Sequence, residues 1–139
     1  MGLDEYIVTK LITYTMTTFE RTIIDLLCPA IKEKKLIKFW YADKTDDKTD
    51  WRTIEPHQIG KLKPKKPGGS ESIIITGWFL PTDEQILKGW DENWKNYILE
   101  RISKIEIFDE TYSLTRMGYN PRDDKRCSIV YCATSVRVV

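Results

Sequence analysis

The stretch LIKFWYADKTDDKTDWRTIEPHQIG, residues 36–60, predicts a β-hairpin and indicates the fold class. Ile37, Phe39 and Tyr41 alternate with residues of other character, which is the period-two pattern of a strand with one buried face. Residues 43–50, DKTDDKTD, have the composition of a turn. We therefore expect two antiparallel strands joined by this polar loop.

The second strand of the hairpin is unusually polar. Residues 51–59 carry Arg52, Glu55 and His57, the only histidine of the chain, around two isoleucines and a proline. Pro56 has no backbone N–H to donate, so we expect it at a sheet edge or in a bulge. The polar side chains form either a solvated strand face or one wall of a binding site.

A helix precedes the hairpin. Thr17 followed by Glu20 has the spacing of a capping box, and apolar residues recur at helical intervals through residues 19–31. Pro29 interrupts this pattern, so we expect a kink or two short helices.

The remaining pattern is mostly β. Strands are predicted at residues 72–80, 97–107 and 129–139, and residues 6–16 favour a strand, with a short helix as the alternative. One helical element and about five short strands predict a mainly β, α+β domain, built as a small, strongly bent antiparallel sheet or barrel.

The composition is that of an ordinary globular protein. The 139 residues fit a single domain, with 41% hydrophobic and 31% charged residues. A formal net charge of +1 gives no argument for nucleic-acid binding from charge alone. We recognise no signal peptide and no run of the roughly 20 apolar residues that crosses a bilayer. We predict a soluble cytoplasmic protein that makes no membrane contact.

The cysteines do not have the spacing of a metal site. Cys28, Cys127 and Cys132 form an odd set without a second pair of ligands. We therefore predict reduced thiols, no metal ion and no cofactor.

Cationic residues supply two candidate anion sites. Arg52 and Arg101 each lie in a predicted strand of largely apolar residues, and two guanidinium groups converging on one face would bind phosphate or carboxylate. The alternative is a pair of exposed side chains. A loop rich in Gly, Pro and Lys supplies the other candidate, a set of possible phosphate contacts or a solvated loop, formed by Lys61, Lys63, Lys65 and Lys66.

Several of these segments together resemble the WYL domain. The resemblance is carried by a helix, then LIKFWYAD, then RTIEPHQIG, then an apolar strand reaching Gly-Trp, then YILERISKIEIFDETY. It covers residues 27–110, with residues 1–26 and 111–139 as extensions of a single domain. The family's motif positions would be occupied by Tyr41, Arg52, Glu55, Pro56, Trp78 and Arg101.

Two departures affect the expected ligand site. The tripeptide that gives the family its name is replaced by residues 73–75, Ile-Ile-Ile, and the first arginine of the last motif is replaced by Ile98. Loss of a ligand-facing arginine would weaken or redirect an anion site.

The resemblance implies an Sm-like five-stranded barrel with an adjoining helix. It also implies a bacterial ligand-sensing module that binds nucleic acids or nucleotides and regulates transcription factors or phage defence. Because the match begins near residue 27, we expect no DNA-reading domain in this chain and a partner protein that supplies one.

The leading hypothesis is a non-enzymatic regulatory module for an anionic ligand, such as single-stranded nucleic acid or a nucleotide. Arg52 and Arg101 would bind phosphate, Tyr41 would stack or donate a hydrogen bond, Glu55 would orient an arginine or a base, and His57 would add charge at low pH. A protein-interaction or homo-oligomerisation domain is the alternative. A nuclease or hydrolase is the third hypothesis. The chain offers it few catalytic arrangements, because it has a single histidine.

Overall fold

A computed structural model describes residues 17–113, 115–119 and 125–135. The helices are α1 (Thr18–Lys32) and α2 (Asp83–Leu87), and two 3-10 turns span Asp46–Lys48 and Leu99–Arg101. The strands are β1 (Lys35–Tyr41), β2 (Asp50–Leu62), β3 (Ile73–Phe79), β4 (Asn93–Ile98), β5 (Ile102–Thr111) and β6 (Cys127–Ala133).

These strands form one antiparallel sheet in the order β4-β3-β2-β1-β5, and β6 pairs with β2 outside this path. Within the described residues no pairing joins β4 to β5, so the sheet is not closed. The predicted mainly β fold with an N-terminal helix is confirmed.

The predicted hairpin is present as β1 and β2, with Ile37 opposite Ile54 and Tyr41 opposite Asp50. Strand β2 is not an edge strand, because β3 pairs along its other side. The register shifts between Pro56 and Gln58, so the bulge expected at the proline is confirmed.

Strand β2 changes its partner at this bulge. Its first half pairs with β1 and its second half, from Gln58 onward, pairs with β6. Side chains and a backbone amide satisfy the carbonyl groups at the change-over. The hydroxyl of Tyr112 donates to the oxygen of Pro56 at 2.6 Å, and the oxygen of His57 accepts from the amide of Thr134 at 2.8 Å and the hydroxyl of Tyr119 at 3.0 Å. Residues far along the chain therefore satisfy the backbone of β2 where it changes its partner.

Helix α1 begins at the predicted capping box. The amide of Glu20 donates to Oγ1 of Thr17 at 3.1 Å, and the amide of Thr17 donates to Oε1 of Glu20 at 2.9 Å. Of the two alternatives expected at Pro29, two short helices is wrong, because α1 is one helix from Thr18 to Lys32, and the kink stays a prediction. The bond lost at Pro29 leaves the carbonyl of Asp25 without a helical donor, and both residues are exposed, so water can replace that donor.

The core lies between α1 and the inner face of the sheet. The helix contributes Ile23, Leu27 and Ile31, and β1 contributes Ile37 and Phe39, each 3% exposed or less. Burial of these side chains packs α1 against the sheet.

The prediction of reduced thiols is wrong for two of the three cysteines. A disulfide joins Cys28 of α1 to Cys132 of β6, with the two Cα atoms 5.7 Å apart. Cys127 is buried and lies outside this bridge. The pairing links residues 104 positions apart, so local spacing contained no indication of it.

Two strand predictions need correction. Residues 97–107 were predicted as one strand, but the 3-10 turn Leu99–Arg101 separates β4 from β5 there. The last strand begins at Cys127 and ends at Ala133, ahead of the predicted range, and residues 136–139 lie outside the described residues. The predicted strand at residues 6–16 also lies outside them. No helix in the described ranges is long and apolar enough to cross a bilayer.

Candidate functional site

Three of the predicted site residues line one cavity of about 460 Å³: Tyr41, Arg52 and Arg101. Tyr41 ends β1, Arg52 lies near the start of β2, and Arg101 ends the 3-10 turn between β4 and β5. Antiparallel pairing of β1 with β2 and with β5 brings these three positions to the same end of the sheet.

The floor of the cavity is aromatic. Phe79, Trp90 and Tyr97 line it together with Tyr41. The ring centroids of Tyr41 and Tyr97 lie 5.0 Å apart in an edge-to-face contact, and the hydroxyl of Tyr41 accepts a hydrogen bond from the amide of Ile98 at 3.0 Å. Burial raises the pKa of both tyrosines, so each stays a neutral phenol at physiological pH.

The side chain of Arg52 is buried and already hydrogen-bonded. Its Nη2 donates to the carbonyl of Lys48 at 2.6 Å, and its Nη1 donates to the carbonyls of Asp50 at 3.1 Å and Trp51 at 3.4 Å. The carboxylate of Asp43 lies 3.7 Å away. Arg52 thus fixes the loop between β1 and β2. Its guanidinium group is largely occupied by these partners, and Asp43 offsets part of its positive charge.

The rim of the cavity carries more positive than negative side chains. Lys44, Lys48, Lys95 and Arg101 line it, against Asp43 and Asp91. Arg101 is half-buried, and within the described part of the chain it forms no ion pair. Its guanidinium group is therefore the one best placed to meet an anionic ligand. Asn93 and Asn96 add amide groups to the same cavity.

The two departures from the WYL pattern have different consequences. Ile73, Ile74 and Ile75 are buried in β3, so they belong to the core and not to the cavity. Ile98 lines the cavity and supplies an apolar surface where the family would have an arginine. Apart from Arg52, the cationic side chains that line this cavity are therefore Arg101 and the rim lysines.

Glu55 lies apart from this cavity. Its buried carboxylate accepts two hydrogen bonds from Arg116, from Nε at 2.7 Å and from Nη2 at 2.9 Å. The guanidinium group of Arg116 also lies 4.9 Å from the ring centroid of Trp78. These groups line a second, open groove with Leu36, Tyr112 and Met117.

His57 is wholly buried at the change-over of β2. Its ring contacts three aromatic side chains, with centroid distances of 4.7 Å to Trp94, 5.0 Å to Tyr112 and 4.8 Å to Tyr119. Because a carbonyl only accepts, Nδ1 donates to the oxygen of Glu55, 2.8 Å away. Burial lowers the pKa of His57 to about 4, and the charges of Lys34 and Arg116 act in the same direction.

The four predicted lysines do not share one environment. Lys61 is a buried residue of β2, and its ammonium lies 3.3 Å from the carboxylate of Glu71. Lys63, Lys65 and Lys66 are exposed after β2, and none of the four lines the aromatic cavity.

Sequence reasoning missed much of the cavity wall. Trp90, Asn93 and Lys95 lie between the predicted strands 72–80 and 97–107, where no site residue was predicted, and Lys44 and Lys48 lie in the loop predicted as a turn. The signal available was two tryptophans, Trp90 and Trp94, in a polar segment. Arg116, the partner of Glu55, lies in a tail segment that gave no such signal.

The arrangement can bind a small anion that carries a flat ring, with an aromatic floor and a cationic rim. It offers no histidine, and no group of three His, Cys, Asp or Glu side chains among the described residues is placed to hold a metal ion. Comparisons with protein-family models, curated proteins and solved structures returned no match, so the resemblance to the WYL domain stays a prediction.

Proposed function

We propose that this protein is a non-enzymatic sensor module that binds a nucleotide-type anion in the cavity formed by Tyr41, Arg52 and Arg101. The observation that carries the proposal is the meeting of three residues, assigned from separate motifs, in one cavity with an aromatic floor. Phosphate would contact Arg101 and the rim lysines, because charge-assisted hydrogen bonds to guanidinium groups are strong and directional. The base or sugar would lie toward Trp90 and Tyr97.

A binding role suits the side chains better than catalysis. His57, the residue on which a hydrolase or nuclease reading depends, is 0% exposed and surrounded by aromatic rings. A buried imidazole that cannot reach substrate cannot act as a general base. We therefore assign His57 to the fold.

The wider regulatory role remains part of the proposal. The WYL resemblance supports ligand-dependent regulation of transcription or defence, with DNA contact supplied by a partner protein. We also propose that the sheet is an Sm-like barrel left open between β4 and β5, since the long strand β2 pairs with β1, β3 and β6. The Cys28–Cys132 disulfide argues against the predicted cytoplasmic location, because disulfides persist in oxidising compartments.

Calorimetric titration tests the pocket with three probes: adenosine monophosphate, inorganic phosphate and adenosine. We expect the parent to bind the monophosphate more tightly than either fragment. Arg101→Ala should lower the affinity for the monophosphate and for phosphate by about tenfold, the cost of losing one charged hydrogen bond. The affinity for adenosine should not change. Arg101 is preferred to Arg52 because its side chain forms no hydrogen bond or ion pair with any other described residue.

The matched control is Lys65→Ala combined with Lys66→Ala, which removes two exposed cations outside the cavity. This control should bind the monophosphate like the parent. The proposal fails if the parent binds none of the three probes, or if the lysine pair, and not Arg101, governs phosphate affinity.

A further inference from the structure

Two tryptophans and two lysines form a surface on the opposite side of the sheet from the core. Trp40 of β1 lies opposite Trp51 of β2, and the two rings meet edge to face with centroids 5.5 Å apart. Their chain neighbours, Tyr41 and Arg52, line the cavity, so the alternation of a strand directs Trp40 and Trp51 to the other face. Both tryptophans are half-buried.

The ammonium group of a lysine lies over each of the two indole rings. Lys38 lies 4.9 Å from the centroid of Trp51, and Lys104 lies 5.4 Å from the centroid of Trp40. Neither ammonium is within ion-pair distance of a carboxylate in the ranges that the structure describes. Glu106, the cross-strand partner of Lys38 on β5, is not within that distance of it.

The backbone at Lys104 is strained. Lys104 has φ 51°, in the left-handed region that residues other than glycine seldom adopt. It lies where the register between β1 and β5 shifts, between the pairs Lys38–Glu106 and Trp40–Ser103. Backbone conformations of this kind collect at functional sites. Here the conformation accompanies the placement of a cation over Trp40.

We propose that Lys38, Trp40, Trp51 and Lys104 form a binding surface for single-stranded nucleic acid, separate from the cavity. Bases of a single strand are free to stack on indole rings, whereas those of a duplex are already stacked. The lysines, which are long and carry no competing ion pair, contact the phosphates that flank a stacked base. Aromatic rings interleaved with cations match the charge and the flat faces of a single strand, and an acidic peptide would leave the rings unused.

Fluorescence anisotropy with a labelled oligothymidylate of about ten nucleotides tests this surface, since single-strand sites span roughly 4–16 nucleotides. The oligonucleotide carries no terminal phosphate. We expect Trp40→Ala to weaken binding about tenfold, in the range of one lost base stack, and Trp40→Phe to retain most of it. Adenosine monophosphate binding in the cavity should be the same in Trp40→Ala as in the parent.

Lys104→Gly separates binding from folding. Glycine adopts the left-handed conformation freely, so this variant should melt at the parent's temperature or above. It should still bind the oligonucleotide more weakly, with a salt dependence whose slope is smaller by about one for the lost phosphate contact.

The surface is contradicted if the parent does not bind the oligonucleotide at low salt, or if Trp40→Ala and Lys104→Gly bind it like the parent. It is also contradicted if only Arg101→Ala reduces oligonucleotide affinity, because the strand would then occupy the cavity. Failure of the cavity proposal gives a different result, the absence of monophosphate binding with oligonucleotide binding intact.

Discussion

The guanidinium group of Arg52 lies against the ring of Trp90, with its central carbon 4.4 Å from the ring centroid. This contact connects β2 to the segment that follows α2, and both residues line the candidate cavity. Arg52 also donates to three backbone carbonyls, one in the β1–β2 loop and two at the start of β2. Arg52, which was predicted with Arg101 as a phosphate ligand, therefore builds the site before any ligand arrives.

Removal of Arg52 should destabilise the fold. Arg52→Ala removes the hydrogen bonds that its buried guanidinium donates to three carbonyls and its contact with Trp90, and we expect a loss of about 2–4 kcal/mol in the free energy of unfolding. Arg52→Lys should recover little of it, because a compact ammonium cannot reproduce the planar fork. Urea denaturation measures both variants. A change below about 0.5 kcal/mol in Arg52→Ala, the size of an ordinary surface substitution, would contradict the structural role.

The buried His57 should make stability depend on pH. Its pKa is about 4 in the folded protein and about 6.5 in the unfolded chain, so the unfolded chain binds more protons between these values. The stabilisation is complete above pH 6.5 and is lost as the pH falls toward 4, by roughly 3 kcal/mol over the window. Nε2 has no hydrogen-bond partner in the described structure, which agrees with a neutral ring.

Urea denaturation of the parent and of His57→Phe between pH 4 and pH 7.5 isolates this contribution. The variant should lose the part of the pH dependence that lies in this window. An imidazole that titrates near 6.5 in the folded protein, measured by NMR, would exclude the buried placement.

Glu55 and Arg116 should be energetically coupled. The side chain of Glu55 is 8% exposed and that of Arg116 is 38% exposed, so the two single substitutions are not equivalent. Arg116→Ala leaves a buried carboxylate without its partner, whereas Glu55→Gln leaves an arginine that water can hydrate. We expect Arg116→Ala to be the more destabilising change, and the pair to show a coupling of about 1–3 kcal/mol in a double-mutant cycle. Additive effects would indicate that the pair does not form.

The Cys28–Cys132 disulfide should contribute to stability. It closes a segment with a sequence separation of 104, and the chain-entropy argument gives about 4–5 kcal/mol for a loop of that size. A phosphine reductant should lower the melting temperature of the parent and of Cys127→Ser, but not that of Cys28→Ser. Unfolding without reductant should expose one reactive thiol per chain, that of Cys127. Three reactive thiols would contradict the bridge.

The sequence predicted those features that depend on neighbouring residues. The β1–β2 hairpin and the Thr17–Glu20 capping box follow from period and spacing within a few positions. The partner change of β2 does not, because it depends on Tyr112, Tyr119 and Thr134, which reach back from far along the chain.

Only part of the candidate site was predicted, because the site also depends on residues that are far apart in the sequence. Motif resemblance, not periodicity, placed Tyr41, Arg52 and Arg101 together. Glu55 was assigned with them, although its odd-numbered separation from Arg52 along β2 turns it to another environment. Its partner Arg116 comes from a segment whose position only the folded chain reveals.

The central claim is that a nucleotide-type anion binds in the cavity lined by Arg101. Two-dimensional amide NMR during titration with adenosine monophosphate tests it most directly, because the shifts locate the ligand. We predict saturable shifts in residues 43–48 and 93–101, and none at the outward-facing Trp40 or in the lysine loop of residues 63–72. Shifts confined to that loop, or no saturable shifts at all, would contradict the claim.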